Sequence, residues 1–282
     1  MSQLTVNPIN KTHRPVSRPV VGSHCLTAPP WPPIDDVSVH ARLHMDATPN
    51  GYASVKPLIE FCFAIVLLVP VLPLIGIAWL LVRLASPGPG FYVQTRSGQV
   101  GKPYRIIKIR SMHHRIEERS GVQWAKANDP RVFLIGRLMR KTHLDELPQL
   151  FNVLLGQMAL VGPRPERPEV IRGKGLCDEV PGYDHRLQVK PGVTGLAQIQ
   201  LPADHDIRGV RHKVAYDLYY IVNRSLWLDI RVCAATLFKA AGVGPFWLRR
   251  LFFLPTPEQV AEQFLALVHP PAASGSASLV PA

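Results

Sequence analysis

The chain has 282 residues and a mass of 31.3 kDa, enough for one large or two small domains with a real core. Apolar residues make up 47% and charged residues 18%, which excludes a disordered chain. The net charge of +12 makes polyanions the expected partners: nucleic acid, anionic lipid or phosphorylated substrates. Cys25, Cys62, Cys177 and Cys233 lie too far apart for a disulfide-dense scaffold or a close-spaced zinc motif.

Residues 1–53 include TAPPWPP and show no helical or strand period, so a disordered proline-rich tail is expected there. The start, MSQLTVNPIN, lacks the charged and apolar regions of a signal peptide. From Phe61 to Val82 run 22 residues without a charge. As one helix they reach roughly 33 Å at ~1.5 Å per residue, close to a bilayer's hydrocarbon thickness. A buried soluble helix seldom stays apolar all round over such a length, so a membrane helix is expected over 54–86. Pro70 and Pro73 interrupt its middle, which fits either a kinked span or a helical hairpin re-entering on one side. Residues 84–282 carry 26 Lys and Arg against 16 Asp and Glu, which keeps them cytoplasmic. Residues 1–60 carry 5 basic and 4 acidic groups and decide nothing about the other end.

The run SPGPG at 86–90 stops this helix. Rough alternation with turns at Ser97-Gly98 and Gly101-Lys102 predicts a hairpin with strands near 91–95 and 103–109. Residues 113–127 suit a short helix or a loop. A helix over 132–140 would place Val132, Ile135, Leu138 and Met139 on one face. The signal is weak over 169–188, and helices are expected over 209–222 and 226–241. Segment 242–254 mixes Phe246, Trp247, Phe252 and Phe253 with Arg249 and Arg250. It suits a bilayer headgroup layer or packing on the domain. Residues 255–282 read as a tail, partly helical and then disordered.

Four stretches carry chemistry. In RKTHLDELPQLFNVLLG, Leu147, Leu150, Phe151, Leu154 and Leu155 follow a helical period, Pro148 suits a first turn and Gly156 an end. Asp145 and Glu146 therefore stand at or just before a helix N-terminus. An Asp at this place is more often a simple N-cap, and it is also the ionised carboxylate that a nucleophile must be. In LVGPRPE two prolines flank Arg164, fixing the backbone around a guanidinium able to chelate phosphate. The glycines of VKPGVTGLAQ permit close backbone approach or a tight turn. In YDLYYIVNRSLWLDI, Ser225 suits an N-cap and Asp229 a buried partner for an arginine.

In this order, after a proline-broken apolar segment, these motifs resemble the bacterial sugar transferase family of monotopic polyprenyl-phosphate hexose-1-phosphate transferases. The resemblance runs from about residue 55 to 241 and suggests a short, exopolysaccharide-type member. It implies an α+β fold: a mainly helical cytosolic catalytic domain over 87–241 with a small β-hairpin, anchored at the bacterial inner membrane by a re-entrant helix. It implies Asp145 as nucleophile and Glu146 as its acidic partner, with Mg²⁺ on Glu146 and Asp145. Arg140 and Arg164 would hold phosphate, Lys108 and Arg110 belong to the family's basic strand segment, and Asp229 matches an acidic residue linked to the site. The implied reaction moves hexose 1-phosphate from a UDP-hexose to undecaprenyl phosphate through an aspartyl phospho-sugar, releasing UMP. Membrane lipid is the further implied partner, and self-association stays open. One departure is the stretch IQLPADHD after Gln198, where many relatives carry a short Asn-Gly-Arg-like turn. Nucleic-acid binding would explain the charge but not the apolar run. An inactive membrane scaffold would explain the run but leave the Asp-Glu pair idle.

Overall fold

A computed structural model describes residues 51–114, 116, 129–202 and 206–269, with six further positions between Ile34 and Met45. Its first element is α1, a helix from Gly51 to Ala85 with Pro57, Pro70 and Pro73 inside it. At ~1.5 Å per residue it would be about 52 Å long if straight. One edge of α1 is buried: Glu60, Ala64, Ile75, Ala78 and Val82, at helical spacing, pack on the rest of the chain. The opposite side leaves Leu58, Val66, Val69 and Leu84 exposed. This is not the burial of a soluble core helix, and the sequence could not show it because both faces are apolar.

The expected hairpin is present as β1, Phe91–Ser97, paired antiparallel with β2, Pro103–Ile109. Its two strands are joined by a 3₁₀ turn at Gln99–Gly101. Then come α2, Leu134–Thr142, a 3₁₀ turn at Leu144–Glu146, and α3, Gln149–Leu154. A short strand β3, Ala159–Val161, pairs in parallel with β4, Gly192–Thr194. Between them lie α4, Pro168–Gly173, α5, Leu176–Glu179, and a 3₁₀ turn at Tyr183–Gln188. The chain continues through α6, Leu196–Gln200, and the two long helices α7, Ile207–Asn223, and α8, Leu226–Ala240. Ser225 caps α8 as expected, accepting from the Leu228 amide at 3.2 Å. The last elements are α9, Pro245–Phe252, and α10, Pro257–Val268. The described chain is therefore α+β, mostly helical with two small sheets.

The main core gathers around α7, with Val214, Tyr216 and Leu218 nearly inaccessible. A smaller apolar cluster joins Ile75, Ala78 and Val82 of α1 to Ile109, Phe133 and Met139. Asn152 is fully buried although it stands off the apolar stripe of its helix. Its amide donates to the Arg105 carbonyl at 2.8 Å and its oxygen accepts from the Ile107 amide at 3.0 Å. It thereby fastens α3 to β2, the two elements that bring Glu146 and Lys108 together.

Three expectations need correction. Leu138 is exposed rather than on the buried face of α2, because that face is narrowed to Gly136 and Met139, where α2 closes on Ser111. The domain does not end at 241. In α10 a capping box at Thr256 starts a helix whose Val260, Ala261 and Phe264 join the main core. In the expected tail, Ile34 and Val37 are buried in that core too, while TAPPWPP lies outside the described residues, as does most of 113–127. Phe264→Ala should cost about 3–5 kcal/mol, read as a lower unfolding midpoint of the protein in detergent. An unchanged midpoint would make α10 the peripheral tail that composition suggests.

Candidate active site

The turn that carries Asp145 and Glu146 exists because α2 ends at His143 in a left-handed conformation, φ 57°. Pro148, not Asp145, occupies the N-cap position of α3, and no side chain caps that helix. Asp145 is 8% exposed and lines a cavity of about 970 Å³. Its carboxylate makes no hydrogen bond or ion pair among the described residues. Burial, and then the Glu146 charge, push its pKa up, while Lys108 and Arg140 pull the other way. Glu146 is treated differently. One of its oxygens, Oε1, meets Lys108 Nζ at 2.7 Å and Arg164 Nη2 at 3.2 Å. Burial raises its pKa, but these two cations outweigh it and hold the carboxyl well below its usual range. Two adjacent carboxylates thus differ: one neutralised in place, one facing the cavity unengaged.

Arg164 is aimed by its backbone. The Gly162 amide donates to Thr194 O and the Gly192 amide to Pro163 O, both at 2.9 Å. Arg186 Nη2 donates to Arg164 O at 3.0 Å, Arg96 Nη1 to Pro165 O at 3.1 Å, and the Ser97 amide to Glu166 O at 2.9 Å. Arg186 is itself pinned by a 2.8 Å ion pair with Asp217, both side chains nearly inaccessible. The glycines of VKPGVTGLAQ act here: a Cβ on Gly192 would come within 2.1 Å of Gly162 N, and one on Gly195 within 2.2 Å of Gly162 O. Close approach, not a tight turn, is their requirement.

The family model for bacterial sugar transferases matches residues 51–242. The chain belongs to the bacterial sugar transferase family. The chain is 36% identical over 214 residues to the UDP-glucose:undecaprenyl-phosphate glucose-1-phosphate transferase of Caulobacter vibrioides, covering 75% of this chain and 74% of that one. It is 39% identical over 186 residues to the UDP-N-acetylgalactosamine-undecaprenyl-phosphate N-acetylgalactosaminephosphotransferase of Aeromonas hydrophila. That match covers 66% of this chain but spans only 43% of the relative's length. The exopolysaccharide production protein PSS of Rhizobium leguminosarum bv. phaseoli is 43% identical over 162 residues, 56% of this chain and 80% of that protein.

Not every expected residue of the sugar transferase meets at the dyad. Lys108, Arg140 and Arg164 line the same cavity as Asp145 and Glu146. Arg140 is steadied by its Nε, which donates to Ser111 Oγ at 2.8 Å. Arg110 also borders the cavity, but its two terminal nitrogens bond the Ser86 and Pro87 carbonyls at 2.7 Å. It is committed to the turn that ends α1 rather than offered to a phosphate. Asp229 does not line the cavity, and its partner is not an arginine. It takes Lys56, the Tyr52 hydroxyl at 2.5 Å and the Tyr220 hydroxyl at 2.8 Å. Lys56 also meets Glu60, whose Oε1 accepts from the Leu160 and Val161 amides of β3. Sequence reasoning missed this cluster, although Lys56 and Glu60 are charges one turn apart just before the uncharged run of the helix. It missed Arg96 and Arg186 as supports of the Arg164 segment as well. After Gln198, Leu201 and Pro202 line the cavity, and residues 203–205 fall outside the described ones.

Asp145→Asn should raise thermal stability at neutral pH. A carboxyl with a raised native pKa binds more protons folded than unfolded, so its ionised form costs stability above the unfolded pKa, and the gap should close in acid. A lower melting temperature for the Asn variant at pH 7 would contradict the unengaged carboxylate. Gly195→Ala should displace Gly162 and with it Arg164. The expected result is at least about a tenfold loss of turnover, since misplacement by ~1 Å is costly in catalysis; wild-type turnover would show that the approach is relaxed without consequence.

Proposed function

We propose that this protein transfers hexose 1-phosphate from a UDP-hexose to undecaprenyl phosphate, releasing UMP. The observation that carries this is the unengaged, buried Asp145 carboxylate beside a Glu146 already neutralised by Lys108 and Arg164. The named activities of the Caulobacter and Aeromonas relatives supply the substrate classes. In the first step an Asp145 oxygen bonds to the sugar-bearing phosphorus. The bond from that phosphorus to the bridging oxygen breaks, and the electron pair leaves on UMP. In the second, an oxygen of the polyprenyl phosphate bonds to the same phosphorus and the pair returns to Asp145, giving an undecaprenyl diphosphate sugar. Arg140 and Arg164 offset charge on the phosphate oxygens as it shifts. The raised pKa of Asp145 implies an acid limb of activity above the usual carboxylate range, since the nucleophile must be ionised.

The residues present fit a Mg²⁺ ion. Asp145 and the Glu146 oxygen that bonds neither Lys108 nor Arg164 make two adjacent carboxylate ligands, and such sites complete the ion's shell with substrate phosphates and water. When bound there it supplies Lewis-acid polarisation of phosphoryl oxygens.

The membrane reading follows from α1. Its Lys56 and Glu60 bond α8 and β3, while Ile75, Ala78 and Val82 near its other end pack on β2 and α2. Both ends of the apolar helix thus belong to one domain, which supports a helix that enters and leaves on the cytoplasmic face and not a full span. In α9 only Leu248 is buried, while Phe246, Trp247 and Phe253 are at least 59% exposed beside Arg249 and Arg250. That favours headgroup contact for 242–254, except at Phe252, which packs edge-on against Phe238 at 5.3 Å. The name of the Rhizobium relative, an exopolysaccharide production protein, supports the reading that the product feeds exopolysaccharide synthesis.

Three measurements test this. Purified protein with undecaprenyl phosphate and a panel of labelled UDP-sugars should release UMP and label the lipid fraction, while Asp145→Asn should do neither and Arg164→Lys should lose nearly as much as Arg164→Ala. Transfer by Asp145→Asn would remove the nucleophile. EDTA should stop the reaction and Mg²⁺ restore it. A cysteine at exposed position Ser54, in a chain otherwise free of cysteine, should resist an impermeant maleimide in intact cells; labelling from the periplasm would establish a full span.

A further inference from the structure

The segment that carries Arg164 is gripped at both ends by side chains from elsewhere in the chain. Downstream, Arg186 and Arg96 donate to the carbonyls of Arg164 and Pro165. Upstream, the grip comes from the apolar helix α1. Glu60 Oε1 accepts from the Leu160 amide at 2.9 Å and from the Val161 amide at 3.1 Å. The Tyr220 hydroxyl lies 3.0 Å from the Val161 carbonyl and 2.8 Å from Asp229 Oδ1, so its one proton is shared between them. Both backbone polar groups of Val161 thus meet side chains. Glu60, Val161 and Tyr220 are 7%, 1% and 2% exposed, so a partner lost there is not simply replaced by solvent.

Little slack separates Val161 from Arg164. The Gly162 amide is bonded to Thr194 O, Pro163 O accepts from the Gly192 amide, and the Pro163 ring fixes its own φ. A shift of Val161 is therefore passed on to Arg164 rather than absorbed. Seating α1 does not by itself require Glu60. Lys56 already pairs with Asp229 of α8, and Ile75, Ala78 and Val82 pack the other end of the helix. Burying a further carboxylate is costly. What Glu60 adds is a charge-assisted acceptor for two amides at the base of the Arg164 segment. Resting on the two-step reaction in which Arg164 offsets phosphate charge, we propose that Glu60 is a positioning residue for Arg164. Through β3, helix α1 aims the guanidinium, and α1 is part of the catalytic geometry as well as an anchor.

A double-mutant cycle on the full-length protein in detergent separates aiming from general support. Glu60→Ala should lower turnover by about tenfold or more. Glu60→Gln keeps an acceptor oxygen for both amides and should restore most of that loss. In an Arg164→Ala background, adding Glu60→Ala should cost no more than about a further twofold, because the group it aims is already gone. The same cycle run on UMP affinity by titration calorimetry should show the same non-additivity without any need for turnover. An equal loss in both backgrounds would make Glu60 a structural residue and overturn the proposal. Wild-type turnover in Glu60→Ala would overturn it too, and a Gln variant as poor as the Ala one would assign the effect to the Lys56 pair instead. Should Glu60→Ala melt without a cooperative transition, Tyr220→Phe carries the cycle. It removes only the hydroxyl beside the Val161 carbonyl and should cost about threefold, again only where Arg164 is present; an equal cost in both backgrounds would overturn the aiming. Wild-type protein that transfers no sugar from any UDP-sugar would overturn the reaction itself, while the calorimetric cycle would still decide whether Glu60 acts through Arg164.

Discussion

One carboxylate oxygen holds the site together. Glu146 Oε1 receives Lys108 from β2 and Arg164 from the segment after β3, and Glu146 itself lies on the turn between α2 and α3. Three pieces of chain separated by up to 56 residues meet there. Desolvating a carboxylate is expensive, and a single partner seldom repays it. Two cations do, and keep the group ionised where burial alone would favour its protonation. The neighbour, Asp145, inherits a fixed position without receiving a partner of its own. A reactive carboxylate needs that combination: held by the backbone of a turn, with its oxygens left to the cavity.

The same logic extends outward to the apolar helix α1. Glu60 and Asp229 are buried charges and Lys56 a half-buried one, stable because each is paired and hydrogen-bonded. Glu60 accepts two amides from β3, and β3 leads within three residues to Arg164. Tyr220 reaches both the Val161 carbonyl and Asp229. The seat of α1 on the domain and the aim of Arg164 are therefore set by one connected set of hydrogen bonds. At the far end of α1, Arg110 ties the Ser86 and Pro87 carbonyls back to β2. These polar residues fasten an apolar helix to the rest of the domain, where apolar packing alone would leave it free to slide.

Much of this was legible from local chemistry. The hairpin, the Ser225 cap, the apolar helix and the turn at Asp145 all follow from period and turn residues. The glycines of VKPGVTGLAQ left close approach and a tight turn open, and nothing local says that Gly162 is what they approach. Side-chain partners were not legible. Asp229 suggested an arginine, and the fold supplied Lys56 with two tyrosines, because the nearest cation in space comes from a helix more than 170 residues away. Arg110 looks like Arg164 in sequence, yet one is consumed by backbone carbonyls and the other faces a carboxylate.

By itself the sequence determined the apolar helix, the hairpin, the two long helices α7 and α8 and which residues are chemically able to act, while the short strands β3 and β4 and the helices between them left no readable period. Period, capping and turn preferences are local properties, and they place Asp145, Glu146 and Arg164 at the ends of elements. Only the tertiary structure decided which charges are spent and which are left to the cavity. It left Asp145 unengaged, neutralised Glu146 and turned Arg110 into a brace. The reason is that desolvation and pairing depend on distance in space, and residues far apart in the chain acquire those distances only when the core around α7 closes.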